Sequence, residues 1–262
     1  MDAPGLLPAI WNQLLASTPE LSWYVVSFAI ALPLEAHFGS GEQASWSERC
    51  GNAAAMLIHF GVGGLVLQLV LTTPIGQQLA AFPREPRHEL LRNSYLWALA
   101  SVLLVDASYY WYHRLQHAVP LLWRIHALHH TDPAMNVTTS RRTHFLERTL
   151  QFFFVNLPML WILGANLEGS LYATGIMWLI LYGAHTDVRL DLGWLTPILV
   201  GPRYHRLHHG RSLTTRDTNF AQVFPVFDLL GGTYRRPRED DDTVTGVDGC
   251  DTAYARWRPL LW

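Results

Sequence analysis

Lysine is absent from this 262-residue chain, cysteine occurs only twice, and just 15% of residues are charged. Each scarcity excludes something. All 19 basic residues are arginine and the net charge is −2, so no bulk positive field exists to attract nucleic acid, and no nucleic-acid partner is expected. Cys50 and Cys250 supply neither a disulfide framework nor a CxxC metal pair. A charged fraction well below the quarter or so typical of soluble proteins argues against a wholly soluble domain. No HExxH occurs, which removes the usual helix-borne signature of a zinc hydrolase. No internal repeat is visible, which argues against an inverted-repeat transporter. The N-terminal twenty residues have no positive stretch and no small-residue cleavage site, so they do not read as a signal peptide.

What is present is apolar and rich in histidine. Half the residues are hydrophobic, with 11 Trp and 13 His, and the mean hydropathy is +0.10. Apolar segments at 21–38, 52–72, 94–117, 145–164 and 167–184 each approach the roughly 20 residues that a helix needs to span hydrocarbon. They predict an all-α integral membrane bundle of four to five membrane segments. Around Trp11, the LLPAIWNQLL stretch suits a helix lying in the interface. Gly61, Gly63 and Gly64 would permit close helix packing. Fifteen of the 19 arginines follow residue 110, between and after the last three segments, which places those stretches in the cytoplasm. The expected units are membrane helices over 1–93, a catalytic unit with a cytoplasmic cap over 94–238, and an acidic, solvated tail over 239–262. The absence of lysine hints at a GC-rich genome, hence a bacterial cytoplasmic membrane.

Ten histidines fall between residues 113 and 209, most of them in three groups: HRLQH at 113–117, HALHH at 126–130 and HRLHH at 205–209. Helix positions three or four apart share a face, so each group offers adjacent imidazoles. Imidazole is the commonest metal ligand near neutral pH. A helix over 94–117 would be about 36 Å long, several ångströms more than the hydrocarbon core. His113 and His117 would then stand above the cytoplasmic surface, within reach of His126, His129, His130, His205, His208 and His209. Eight imidazoles exceed the needs of one tetrahedral ion, and two metals follow. His144 and His185 each border an apolar segment on that side and are candidates for further ligands. His37, His59 and His88 stand alone and read as structural. Imidazole by itself does not choose between iron and zinc.

At these residues the chain resembles the fatty acid hydroxylase / sterol desaturase superfamily of membrane-bound di-iron oxygenases. The family's HxxxH, HxxHH and second HxxHH stand here in order. The run from His129 to His144, AHTDVRLDLGW at 184–194, GPRYHRLHHG at 201–210, DTNF at 217–220 and FDLLGGTY at 227–234 resemble the family's flanking segments. Phe145, Phe227 and Gly231 depart from the residues usual at their places, and none of them is a ligand. The resemblance implies O2-dependent hydroxylation or desaturation of a lipid C–H bond by two iron ions, zinc being a possible substitute. It implies an external electron donor, a ferredoxin or a cytochrome b5-type protein with its reductase, beside the lipid substrate and the membrane lipids. It carries the ligand roles to the eight grouped histidines, with His185 as a ninth.

Asp106 interrupts an apolar run and lies two helical turns before His113, on the same face. A carboxylate at that depth needs a partner; a ligand imidazole is one candidate, and another buried polar residue is the other. Asn136, Arg142, Asp187 and Asn219 are further candidates for orienting the ligands. Two other readings compete: a zinc-dependent membrane hydrolase, and a non-enzymatic metal-binding or transport protein. The second would put its ligands near the bilayer midplane, whereas these histidines sit at segment ends.

Overall fold

Ser45 and Glu48 open the longest helix. The Ser45 hydroxyl accepts the Glu48 amide while the Glu48 carboxylate accepts the Ser45 amide, a reciprocal cap that starts helix formation at Trp46, ahead of the apolar run at 52. In this computed structural model, which describes residues 6–39, 44–212, 214–241, 244–250 and 252–261, the described elements are all helical. Only two isolated β-bridges occur among them, Gly39 with Val188 and Gly210 with Thr245. The helices are α1 (Leu6–Ala16), α2 (Thr18–Phe38), α3 (Trp46–Thr72), α4 (Pro74–Leu79), α5 (Ser94–Ala118), α6 (Pro120–His130), α7 (Phe145–Gln151), α8 (Leu157–Leu163), α9 (Leu167–Ala184), α10 (Pro202–His208), α11 (Val226–Gly231) and α12 (Ala253–Trp257).

Of the apolar segments expected to span, α2 and α3 combine the length and hydropathy that a crossing requires. The helices α5 and α9 match the expected extents to within a residue. The segment at 145–164 differs, because it is not one regular helix. A π turn at Phe152–Asn156 separates α7 from α8, and there the Leu157 amide reaches back to the Phe152 carbonyl. Pro158 has no amide hydrogen to continue an α-helical ladder, so the extra residue of a π turn is accommodated just before it. Gly164, at a positive φ of 73° that favours glycine, then ends the rod and presents its carbonyl to Trp97 Nε1 at 3.1 Å.

α5 is the central rod. Its Trp97, Val102 and Val105 pack against Val155 of the π turn, Met159 of α8, and Ala173 and Met177 of α9. α3 lies against α7 closely enough that a methyl group on Gly63 would overlap the Phe145 carbonyl, as the glycine run anticipated. α1 buries none of its residues and exposes Leu6, Leu7 and Trp11, consistent with an interfacial helix.

The stretch expected as a free acidic tail folds back in part. Thr245 is buried, accepting the Met135 amide and donating to the Asp132 carbonyl. The Arg142 guanidinium lies 3.7 Å from the Trp257 ring, and the Arg256 carbonyl accepts from Thr131 and Arg142. Acidic residues within the run gave no sign that Trp257 beyond them would find an arginine to cover.

Candidate metal centre

Four helices bring their C-terminal ends to one place. α5 delivers His113 and His117 in its last turns, α6 delivers His126, His129 and His130, α9 ends at His185, and α10 carries His205 and His208 with His209 as its cap. Unpaired carbonyls give a helix C-terminus a partial negative charge, so this convergence favours a cation. The imidazoles form two groups. His113, His117, His126, His130 and His208 make the first; His129, His185, His205 and His209 make the second, and within each group the ligand atoms lie within 4.8 Å of one another. Each HxxHH is therefore divided. Its two residues four apart enter one group, and the histidine between them enters the other. The groups abut, with the His130 and His209 rings stacked at 4.4 Å.

Hydrogen bonds decide which way the rings face. His113 Nδ1 donates to the Phe220 carbonyl at 2.8 Å, His208 Nδ1 to the Thr218 carbonyl at 2.8 Å, and His185 Nδ1 to the Leu181 carbonyl at 2.7 Å. His126 Nδ1 donates to the Glu147 carboxylate at 2.9 Å and His117 Nδ1 to that of Asp217 at 3.1 Å. These partners only accept, so each ring holds its proton on Nδ1 and bears a lone pair on Nε2. Burial, reinforced by neighbouring imidazoles, holds His129, His130, His205, His208 and His209 well below the usual imidazole pKa, and His185 is pushed down to about 4. The rings are neutral at pH 7. Yet the Nε2 atoms of His113 and His208, and of His113 and His126, stand 3.0 Å apart. Lone pairs that close repel one another unless a cation lies among them. The donor set thus fits a pair of nitrogen-loving metal ions.

The other expected site residues support this arrangement from farther out. Asp106 does not reach an imidazole. Its carboxylate accepts the backbone amides of Gln222 at 2.9 Å, Val223 at 3.1 Å and Phe224 at 2.6 Å, because this loop crosses the same face of α5 and has no other acceptor for those amides. His144 lies outside both groups. Its Nδ1 accepts the Leu146 amide and caps α7, while its carbonyl accepts from His59. Arg142 binds the Leu128 carbonyl and Asn52, bracing the end of α6. Asp187 pairs with Arg206 of α10 at 2.6 Å. Asn136 caps the 3-10 turn Val137–Arg141, and Asn219, left-handed at φ 59°, ties the Tyr204 carbonyl to Arg235.

Glu147 and Asp217 were not anticipated, and both touch ligand imidazoles directly. A carboxylate on the far nitrogen of a ligand histidine fixes its tautomer and raises its basicity. Glu147→Ala is expected to lower metal affinity by about 10- to 100-fold. Competition with a chelator measures it, and unchanged affinity would reduce Glu147 to a packing role.

A cavity of about 150 Å³ opens against His126 and His129, one from each group, and runs past Tyr109 and Met177. A second, of about 410 Å³, shares Trp97, Arg141, Asn156 and Met159 with the first and continues to Phe60 and Leu67 of α3. Together they form a path from the imidazoles toward the apolar helices.

The fatty acid hydroxylase family model matches residues 98–233, just over half the chain. Alkylglycerol monooxygenase of Homo sapiens is 35% identical over 154 residues, covering 58% of this chain and 33% of that protein. Ornithine lipid hydroxylase OlsE of Rhizobium tropici is 26% identical over 246 residues, covering 89% and 73%. Very-long-chain aldehyde decarbonylase GL1-2 of Oryza sativa subsp. indica is 31% identical over 188 residues, covering 63% and 29%. The match to the alkylglycerol monooxygenases spans about a third of their length. No solved structure matches. All nine converging histidines fall inside the stretch that the family model covers, and the chain belongs to the fatty acid hydroxylase family.

Proposed function

We propose that this protein is a multi-pass membrane hydroxylase that uses O2 to oxidise an unactivated C–H bond of a lipid, with two iron ions held by the nine histidines. One ion would be held by His113, His117, His126, His130 and His208, and the other by His129, His185, His205 and His209. The observation that carries this reading is the gathering of neutral imidazoles into two adjoining groups, with the Nε2 lone pairs of His113, His126 and His208 facing one another at 3.0 Å. When bound, the iron pair supplies the redox chemistry that O2 activation needs. The chain holds and orients. Carbonyls of Leu181, Thr218 and Phe220, with Glu147 and Asp217, keep each Nε2 directed inward. Tyr109, Met159 and Met177 line the path along which an alkyl chain would approach His126 and His129 while bulk water is kept out.

Hydroxylation converts R–H and O2 to R–OH and water, consuming two electrons and two protons. An external one-electron donor, a ferredoxin or a cytochrome b5-type protein with its reductase, is therefore required. The arginine-rich stretches after residue 110 support a cytoplasmic face for the centre. Zinc suits the same donors. The test is metal analysis with O2-uptake measurements on detergent-purified protein, supplied with reductant and lipid extract. About two irons per chain and lipid-dependent uptake are expected. Iron-reconstituted protein that consumes no O2 with any lipid fraction would overturn the proposal.

A further inference from the structure

Arg141 ends the 3-10 turn that follows the HALHH helix, beside the path described above. It lines both the cavity that touches His126 and His129 and the larger one beyond it. Its neighbours in the structure are aromatic, with the guanidinium 5.2 Å from the Trp178 ring and 5.8 Å from that of Tyr182. Its Nε is buried without a hydrogen-bond partner. Arg148 shares the unpartnered Nε but pairs with Glu20 at 3.6 Å, Arg206 pairs with Asp187, and Arg142 is held by carbonyls and the Trp257 ring. Glu147, the acid lining the same cavity, is taken up by His126. Among the described residues, no carboxylate lies within ion-pair distance of Arg141.

A guanidinium presents five donors in a planar fork matched to carboxylate and phosphate oxygens. Burying part of such a group without an acceptor is costly, and a ligand anion would offset that cost. The smaller cavity, at about 150 Å³, has room for a headgroup-sized fragment. The larger one, with Phe60, Leu67 and Leu160 on its wall, suits an alkyl chain. Gln151, Asn156, Ser170 and Thr174 line both and add hydrogen-bonding capacity where an entirely hydrocarbon ligand would have no use for it.

Resting on the lipid-hydroxylase reading, we infer that the substrate is an anionic amphiphile whose carboxylate or phosphate group is bound by Arg141 between the histidine centre and the apolar path. The charged end then lies in the same cavity as His126 and His129. The carbon presented to the metals is therefore one of the first few beyond the headgroup, not one near the chain terminus.

Binding can be read without turnover, because Trp97 and Trp178 line the path and a bromine entering it quenches their emission. The full chain in nanodiscs would be titrated with terminally brominated dodecanoate and with terminally brominated dodecanol, with and without bound metal. The carboxylate should quench at a concentration at least about tenfold lower than the alcohol. Arg141→Gln should abolish that preference and Arg141→Lys should restore part of it, both with wild-type metal content as the check on folding. Acetate at equal concentration should not displace the carboxylate. Equal affinity for the two probes, or a preference that survives in Arg141→Gln, would overturn the inference. Displacement by acetate alone would overturn its lipid part. Failure of the O2-uptake test would leave this readout unaffected, so the two proposals fail separately.

Discussion

Asp106→Ala is expected to lose stability and metal together, although Asp106 touches no histidine. Its two oxygens accept three backbone amides from Gln222, Val223 and Phe224. The residue is fully buried, so removing the carboxylate leaves three donors with no water to replace it. At about 1–3 kcal/mol for each abandoned donor, the loss should reach about 4 kcal/mol or more, or roughly a 10 °C fall in melting temperature for a domain of this size. The same loop carries the Phe220 and Thr218 carbonyls that orient His113 and His208. Its release should therefore loosen two ligands of the first group. Asp106→Asn should be milder, since the amide keeps one acceptor oxygen but turns a donor toward another donor. Thermal unfolding with metal analysis on both variants checks this. Metal loss at an unchanged melting temperature would mean that Asp106 acts on the ions directly.

His129→Ala and His208→Ala should each abolish lipid-dependent O2 uptake, by at least about a thousandfold, while losing different metals. His208 belongs to the five-membered group and His129 to the four-membered one. Each substitution leaves the other group's donors complete, so each variant should retain at least about half of the wild-type iron, not none. The five-membered group keeps four imidazoles after losing His208, whereas the four-membered group keeps three after losing His129. His129→Ala should accordingly be the more severe in metal retention. Equal and complete loss of both ions in either variant would show that the two groups load as one unit. Full iron and full uptake in both would dismiss the histidine centre altogether.

The grouping of the histidines was legible because helix periodicity is local. Residues four apart share a face wherever the helix is placed, so HRLQH, HALHH and HRLHH announced themselves. His185 was found through its place at a segment end and its flanking residues. How each HxxHH divides between two groups was not legible, since it depends on helices arriving from opposite sides. Partners of the rings were harder still: Glu147 is 21 residues from His126, Asp217 is 100 from His117, and Phe220 is 107 from His113. Backbone carbonyls leave no mark in a sequence at all. Asp106 shows the same limit from the other side. Its helix face was read correctly, but what crosses that face is a loop more than a hundred residues later. His144 lies outside both groups and caps α7, since a histidine bordering an apolar run can serve equally as a ligand or as a helix cap.

On the proposed reading, opposed lone pairs would also tie the protein's abundance to metal supply. A fold that brings neutral Nε2 atoms to 3.0 Å is strained without cations and relieved by them, so ions bind the native state in preference to the unfolded one. Bound ions would also join α5, α6, α9 and α10, whose histidines lie as far apart in the chain as His113 and His209. Newly made chains in an iron-starved cell would spend longer with those helix ends apart, open to proteolysis, and the enzyme's level would fall before any change in transcription.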